Sequence, residues 1–188
     1  MQTTPCFAVP VSDPDDPHSS PIFRNPTSPE RLVTNFEPPV RSVYEIFKRS
    51  ALKWPERKCL GSQVKADDTI TYKWLSYAEV DQRVNQAASV LKKKGLVSDE
   101  RKHVALMAPL SIEWLIFDLA INLLGAISVP INTRLSPPHL VALVTNSSHS
   151  IVGTNEELIK LAEAGLDCSS FRILTLNGAS EDLLKKTG

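Results

Sequence analysis

Hydrophobic residues are densest in the stretch 103–131, where the pattern predicts a strand, a helix and a second strand. The first strand is the apolar run His103–Met107, and the second is Ala126–Val129. Between them, Ser111 can cap a helix and Gly125 can end it. Apolar side chains nearly encircle this helix, as expected for a helix that packs across the face of a parallel sheet. The stretch therefore predicts one parallel βαβ unit, on which we expect the rest of the domain to pack.

The length of this stretch would also allow a membrane-spanning helix. Its predicted helix contains Glu113 and Asp118, however, and a carboxylate near the centre of a bilayer costs about 2.5–3.5 kcal/mol. We therefore interpret the helix as the buried helix of a folded α/β domain.

Two helices and a hairpin are predicted before this unit. The first helix starts at the capping box Ser42-Val-Tyr-Glu45 and stops before Pro55. Cys59–Val64 and Thr69–Trp74 are short strand candidates that a polar turn joins into an antiparallel hairpin. A second capping box, Ser76-Tyr-Ala-Glu79, opens the next helix.

Beyond the central unit, helices and strands continue to alternate. The predicted elements are a helix capped by Ser136 with Pro137 at its first position and ending near Thr145, a strand at Ser150–Gly153, a helix from the capping box Thr154-Asn-Glu-Glu157 to about Ala164, a strand at Phe171–Leu176 and a last helix opened by Ser180. This order is typical of a doubly wound α/β sheet.

Residues 1–40 differ from the rest of the chain. They hold nine of the fourteen prolines and show neither helical nor strand periodicity, so we interpret them as a disordered, proline-rich N-terminal arm. A docking role for the segment around Pro26–Pro29 is the alternative, but such proline spacings arise easily in any proline-rich tail. The arm is therefore expected to be mobile.

The charge of the chain singles out no partner. Lys and Arg together number 21, as do Asp and Glu, and a net charge of zero favours neither nucleic acid nor an anionic membrane. Cys6, Cys59 and Cys168 lack the spacing of zinc ligands or of a disulfide framework, which indicates a reducing compartment. The N-terminus has no positively charged start followed by an apolar run, so we expect no secretory signal and an intracellular protein.

Ligands of open α/β sheets bind beyond the carboxyl ends of the strands, here the loops Ala108–Pro109, Pro130–Arg134 and Gly153–Asn155. No two glycines lie closer than ten residues, which excludes the glycine-rich phosphate loops of dinucleotide-binding and P-loop proteins. Arg134 could meet an anionic ligand, but an arginine salt-bridged within its own loop is the favoured interpretation. Lys92–Lys94 fit the last turn of a helix better than they fit a phosphate site.

Nucleophilic and metal chemistry are not indicated by the sequence. It contains no GxSxG motif, and its histidines lack the context of a catalytic triad or a metal site. These histidines are His18, His103, His139 and His149. His103, at a strand edge, is expected to be structural.

Three segments of the chain are informative together: Val43–Ser50 (VYEIFKRS), Tyr72–Val80 (YKWLSYAEV) and Leu124–Thr133 (LGAISVPINT). They resemble the N-terminal part of long-chain acyl-CoA synthetases, members of the adenylate-forming, or AMP-binding, superfamily. Gly153–Leu158, followed by Phe171–Leu176, looks like the next segment of the long-chain members. The resemblance covers about residues 40–178.

This resemblance implies an N-terminal fragment of an ATP-dependent long-chain fatty acid–CoA ligase. Such enzymes convert a fatty acid and ATP into an acyl-adenylate and pyrophosphate, then pass the acyl group to coenzyme A, so the full-length family enzyme is expected to use ATP, Mg²⁺ and coenzyme A. The family's phosphate loop, adenine segment, ribose aspartate and lid lysine have no counterpart here. We therefore predict that this chain has no catalytic, cofactor-binding or metal-binding residue, binds none of these cofactors and is inactive alone.

Two other interpretations stay open at this point. One is a non-catalytic interaction or regulatory module derived from the same fold, and the other is an independent mononucleotide-binding domain, which the glycine spacing disfavours. Composition places the arm at residues 1–40, and the resemblance places a partial AMP-dependent synthetase/ligase N-terminal domain at residues 41–188. The net charge and the carboxylates of the central helix predict no nucleic-acid partner and no transmembrane segment. The resemblance implies fatty acid and coenzyme A as partners of the full-length enzyme. It also implies a location in the cytoplasm or peripheral on the ER, lipid-droplet or peroxisomal membrane, and unpaired sheet edges could let the chain self-associate.

Overall fold

The computed structural model of the protein describes residues 7–14, 16–34, 36–66, 69–100 and 102–176. The chain divides into two units, Met1–Arg41 and Ser42–Gly188. In the first unit, Val9–Pro10 (β1) pairs antiparallel with Phe23–Arg24 (β2). The lack of periodicity did not predict this short pairing, and the mobility of the arm stays a prediction.

The second unit contains helices and strands in the order that the sequence predicts. They are α1 (Val43–Lys53), β3 (Lys58–Ala66), β4 (Thr69–Ser76), α2 (Tyr77–Lys93), β5 (His103–Met107), α3 (Ile112–Leu123), β6 (Ile127–Pro130), α4 (Pro137–Ser147), β7 (Ser150–Gly153), α5 (Asn155–Glu163), a 3₁₀ turn (Cys168–Ser170) and β8 (Arg172–Thr175). The helix predicted from Ser180 lies outside the described residues. None of the helices in the described part of the chain has the length and apolar character that crossing a bilayer requires.

The central sheet has four parallel strands in the order β6-β5-β7-β8. The chain runs outward from β5 to β6 through α3, then returns across β5 to β7 through α4, so the direction of winding reverses at β5. Side chains alternate along β5, with Val104 and Leu106 packing on the face that holds α1, α2 and α3, and Ala105 and Met107 on the face that holds α4 and α5. This arrangement confirms the doubly wound α/β fold.

Helix α3 packs its apolar side chains against several neighbouring elements, although most of these side chains are only partly buried. It contacts β5 and β6 on one side and α1 and α2 on the other. Ile116, Ala120 and Ile121 are its most buried residues. The helix predicted from the central apolar stretch thus contacts both the sheet and two amphipathic helices.

Three helix caps form as predicted. The Oγ atoms of Ser42 and Ser111 accept the backbone N–H groups of Glu45 at 3.2 Å and Trp114 at 3.1 Å. At the start of α2, Ser76 Oγ accepts the N–H of Glu79 at 3.2 Å, and the Glu79 carboxylate accepts the N–H of Ser76 at 2.7 Å. These reciprocal bonds satisfy donors that helix ends otherwise leave free.

The capping box predicted at Thr154 does not form. The Thr154 hydroxyl makes no capping bond, and the N–H of Thr154, which Glu157 would have bonded, donates instead to the carbonyl of Met107 at 3.2 Å. Glu157 is buried, and its Oε1 accepts from Lys160 Nζ at 3.1 Å. The sequence prediction is wrong here because pairing between strands takes the donor that the box requires.

The Ser136 cap is also wrong in its detail. Ser136 occupies the N-cap position, but its hydroxyl bonds the Nδ1 of His139 at 2.6 Å and caps no backbone donor. The second helical residue, Pro138, has no N–H to offer. The two prolines therefore start α4 largely through their fixed φ angle.

Helices α1 and α2 are joined by polar bonds to one carboxylate. Asp81 accepts a hydrogen bond from the Tyr44 hydroxyl at 3.0 Å and one from Lys48 Nζ at 2.6 Å. The hydrogen bond to Asp81 raises the pKa of Lys48, while burial and then the hydrogen bond to Asp81 raise the pKa of Tyr44. Each group is therefore held in its protonated form in the folded protein.

The hydrogen bonds of Tyr44 and Lys48 to Asp81 predict a loss of stability at alkaline pH. A group whose pKa is raised by folding stabilises the protein below its unfolded pKa and loses that contribution as the pH rises through its folded pKa, so we expect stability to fall above about pH 10. Asp81→Asn should cost about 1–2 kcal/mol near neutral pH and flatten the alkaline decline. Urea unfolding at several pH values measures both effects. The exposed Asp99→Asn variant is the control, and an alkaline decline unchanged in Asp81→Asn would contradict the assignment.

Candidate functional site

The three loops singled out by the sequence lie at one edge of the sheet, beyond the carboxyl ends of the strands. Backbone bonds hold them in register. The N–H of Ile131 donates to Leu106 O at 3.1 Å, that of Thr154 to Met107 O at 3.2 Å, and that of Leu176 to Gly153 O at 2.8 Å. The structure thus brings the predicted loops together at the edge where α/β sheets bind ligands.

Gly153 allows two strands to approach closely at this edge. A Cβ atom placed on Gly153 would lie 2.8 Å from the carbonyl oxygen of Met107, closer than a methyl group tolerates. A larger residue would therefore push β7 away from β5 and widen the carboxyl edge.

A cleft of about 670 Å³ opens beside the end of β5. One wall is β3 of the hairpin, and the other is the loop after β5 with the first turn of α3. Its lining residues are Leu60, Gly61, Ser62, Gln63, Leu110, Ser111, Ile112, Glu113 and Leu115. The sequence did not predict this cleft, because its walls come from segments about 50 residues apart. The available sequence signal for the cleft was Leu110, an apolar residue between Pro109 and the helix cap Ser111, which the structure leaves exposed.

The lining of this cleft favours an apolar guest over a phosphate. Its leucine and isoleucine side chains offer hydrocarbon surface, and Glu113 is the charged member of the lining set. The Ser111 hydroxyl already accepts the N–H of Trp114 at 3.1 Å. Among the described lining residues, an anionic group would meet a carboxylate and no compensating cation. This described lining is therefore suited to binding and lacks the groups that phosphoryl chemistry requires.

Arg134 lies exposed in the loop after β6. Its backbone N–H donates to Asn132 Oδ1 at 3.1 Å, which fixes a tight turn. The salt bridge expected within this loop is not found among the described residues, whose ion pairs involve Lys48 and Lys160. Arg134 is therefore an exposed cation at this edge that forms no ion pair with a described carboxylate.

The histidines do not gather into a site. His103 and His149 are neighbours at the amino ends of β5 and β7, with ring centroids 5.8 Å apart, which is the opposite edge from the loops above. His139 bonds Ser136, and His18 belongs to the N-terminal unit. Within the described ranges, no three His, Cys, Asp or Glu residues are arranged to hold a metal ion.

The cysteines and the lysine run have structural surroundings. Burial raises the pKa of the Cys59 and Cys168 thiols, and Asp167 adds to the effect at Cys168, so neither is an activated nucleophile. Cys6 lies outside the described residues. Lys92–Lys94 occupy the carboxyl end of α2, as predicted.

Comparison with protein families matches residues 47–186 to the family described as AMP-binding enzyme. The matched range includes both faces of the sheet, the hairpin and the carboxyl edge.

Curated relatives are similar over most of this chain. The peroxisomal acyl-CoA ligase 891 of Penicillium roqueforti is 29% identical over 173 residues, which covers 82% of this chain and 24% of the relative. Long-chain-fatty-acid–CoA ligase 5 of Mus musculus is 25% identical over 160 residues, covering 82% of this chain and 23% of the relative. The chain thus spans about a quarter of the length of these relatives.

Solved structures agree on the fold. The N-terminal domain of FACL13 from Mycobacterium tuberculosis superposes with a TM-score of 0.57 at 24% identity, covering 79% of this chain and 36% of that one. The chain therefore belongs to the AMP-binding enzyme family and corresponds to an N-terminal part of that family's fatty acyl-CoA ligases.

Proposed function

We propose that this chain forms the first α/β subdomain of an ATP-dependent long-chain fatty acid–CoA ligase. The complete enzyme would activate a fatty acid as an acyl-adenylate, with ATP and Mg²⁺, and transfer the acyl group to coenzyme A. The observation that carries the proposal is the family match over residues 47–186, which contains the whole described sheet. The names of the relatives support a fatty acid as the substrate.

We propose further that these 188 residues do not catalyse the reaction alone. Adenylation requires positioned cations and hydrogen-bond donors around the phosphates of ATP. At the described carboxyl edge the cation is Arg134, and the adjacent cleft presents Glu113. The role proposed for this subdomain is to form the carboxyl edge of the sheet and an apolar wall of the substrate site. Other residues of a complete ligase would hold ATP.

The purified chain is expected to form no acyl-CoA and to exchange no pyrophosphate into ATP with a long-chain fatty acid. The mouse ligase named above, assayed in parallel, serves as the positive control. Exchange by this chain above a no-protein blank, and absent after heat denaturation, would contradict its proposed inactivity.

A non-catalytic interaction module built on the same fold is the second candidate. It is favoured by the open edges of β6 and β8, each of which pairs with one strand among the described residues. Sequencing of transcripts across the codon for Gly188 separates the two. A phosphate loop encoded downstream of Gly188 would support the ligase subdomain. A stop codon directly after Gly188 in all transcripts would support the non-catalytic interaction module.

We also propose that a complete ligase containing this subdomain works in the cytoplasm or at the surface of the ER, lipid droplets or peroxisomes. The relative from Penicillium roqueforti carries a peroxisomal name, which supports one of these locations. Fractionation of cells that express the tagged native protein tests the proposal, and recovery in the secreted fraction would contradict it.

A further inference from the structure

A cavity of about 470 Å³ opens at the amino edge of the sheet. One wall is the second half of α4, with Val141, Thr145 and Ser148, and the other is the connection between α5 and β8. His149 and Phe171, which directly precede β7 and β8, also line it. The cavity is therefore at the opposite edge from the one proposed for the substrate of a complete ligase, and its occupant would be a different ligand.

Part of the lining is apolar. Leu166 is buried, while Val141 and Phe171 are half-buried, and all three belong to the hydrophobic cluster on the face of the sheet that holds α4 and α5. A cavity of this volume can take a whole small molecule. These side chains would remove a hydrocarbon or aromatic body from water.

The mouth of the cavity offers hydrogen-bond acceptors. Thr145, Asp167 and Ser170 are exposed, so a ligand can reach them. Asp167 Oδ1 accepts the N–H of Ser169 at 3.0 Å and its hydroxyl at 2.6 Å, whereas Asp167 Oδ2 meets the Ser170 hydroxyl at a long 3.4 Å. The hydrogen bonds from Ser169 lower the pKa of Asp167, which keeps the carboxyl group ionised. Oδ2 thus retains the capacity to accept a donor from a ligand.

Two helix C-termini meet at this cavity. Helix α4 ends at Ser147, and the adjoining residues Thr145 and Ser148 line the cavity. Helix α5 ends at Glu163, and Gly165 lines the cavity just beyond it. The last carbonyls of a helix have no intrahelical partner and carry the negative end of the helix dipole. Both helices therefore add partial negative charge to the full charge of Asp167.

No lysine or arginine belongs to the described lining of the cavity. Arg172 directly follows Phe171, but successive residues of a strand point to opposite faces, and Phe171 packs on the face that holds α4 and α5. Arg101 lies outside the described residues and is replaced in one of the variants below. His149 is part of the lining, and a protonated imidazole there would compete with a cationic ligand.

Other classes of ligand do not suit these surroundings. An anion would approach the Asp167 carboxylate and two negative helix ends. A neutral hydrocarbon would cover the acceptors at the mouth without donating a hydrogen bond to them. A metal ion would find no set of three His, Cys, Asp or Glu ligands in the described part of the chain. The occupant should therefore combine a positively charged donor with an apolar body.

We propose that this cavity binds a small organic amine in its protonated form. The ammonium group donates to Asp167 Oδ2 and to carbonyl oxygens at the ends of α4 and α5, which together accept its N–H groups. The apolar body packs on Val141, Leu166 and Phe171, where an aromatic ring can stack. The proposal does not rest on the ligase function, because the amine binds at the opposite edge of the sheet and is not consumed.

Saturation-transfer difference NMR with the full chain and 2-phenylethylamine at pH 8 tests the proposal. The signal is read from the ligand, so it does not require a monomeric protein. We expect saturable binding with a Kd of about 1 mM or tighter. The neutral analogue 2-phenylethanol should bind at least about tenfold more weakly, and phenylacetate should show no saturable binding.

Variants of the mouth test the charge complementarity. Asp167→Asn should weaken amine binding at least about tenfold, because it removes the charge while asparagine can still cap the 3₁₀ turn that Asp167 caps. Thr145→Lys places a cation at the mouth and should abolish saturable binding. Both substitutions are at exposed positions, and circular dichroism melts show whether each variant is folded.

Matched controls change charge without changing the cavity. Asp99→Asn removes an exposed carboxylate elsewhere, and Asn146→Lys adds a cation at the exposed position next to Thr145 that does not line the cavity. Both should bind the amine within about twofold of the wild type, since exposed charges are screened by salt. Arg101→Gln should not weaken binding.

The outcomes that overturn the proposal are distinct. A folded Asp167→Asn or Thr145→Lys variant that binds the amine as tightly as the wild type would do so. Equal binding of the amine and the alcohol would show that the charge is not recognised. A wild-type signal that does not saturate would mean adventitious contact with the surface only.

Discussion

Replacement of Leu106 by alanine is expected to lower the free energy of unfolding by about 2–5 kcal/mol. Leu106 is fully buried in β5, the strand at which the winding of the sheet reverses. Because β5 is bonded to β6 on one side and β7 on the other, the strand cannot shift to fill the space that the substitution leaves. A loss of this size is a large share of the 5–15 kcal/mol that typical domains have.

Urea denaturation followed by circular dichroism, at low protein concentration, measures the effect. Leu110→Ala removes the same atoms four residues later, where the side chain is 78% exposed, and should change stability by less than about 0.5 kcal/mol. If both variants lost the same amount, Leu106 would not occupy the core position that the fold assigns to it.

The elements of the sheet could be predicted closely because each depends on local signals. The strands His103–Met107 and Ser150–Gly153 were predicted with the bounds that the structure has. Both are short apolar runs, and turn or cap residues bound them. Gly125, predicted to end α3, has a φ of 68°, a value that glycine adopts without strain. A prediction made from neighbouring residues succeeds where neighbouring residues determine the structure.

The failures occur where distant segments compete for the same groups. Nothing near Thr154 in the sequence indicates that the carbonyl of Met107 will take its N–H. The order of the strands and the cleft beside β3 likewise depend on tertiary contacts. In the hairpin, Ile70, Tyr72 and Trp74 alternate with polar residues along β4, and the structure leaves this side of the strand exposed.

The backbone of β8 offers donors at an open edge of the sheet. Leu176 donates its N–H to Gly153 O at 2.8 Å, so alternate residues of β8, including Leu174, face β7. The N–H groups of Ile173 and Thr175 then point away from β7, where no described strand pairs with them. Unpaired strand edges of this kind template association with other chains. The open edge of β6 offers fewer backbone donors, because Pro130 has no N–H.

We therefore expect the isolated chain to self-associate, and Thr175→Pro to shift it toward the monomer. Proline at position 175 removes an outward donor and leaves the bonds between β7 and β8 in place, whereas Thr175→Val keeps both the N–H and the side-chain shape and should associate as the wild type does. Size-exclusion chromatography with light scattering measures the mass against the 20.8 kDa of one chain. A sharp wild-type monomer that unfolds cooperatively would contradict this expectation and would favour the self-sufficient interaction module, since a domain that protects its own edges does not require the remainder of a ligase to cover them.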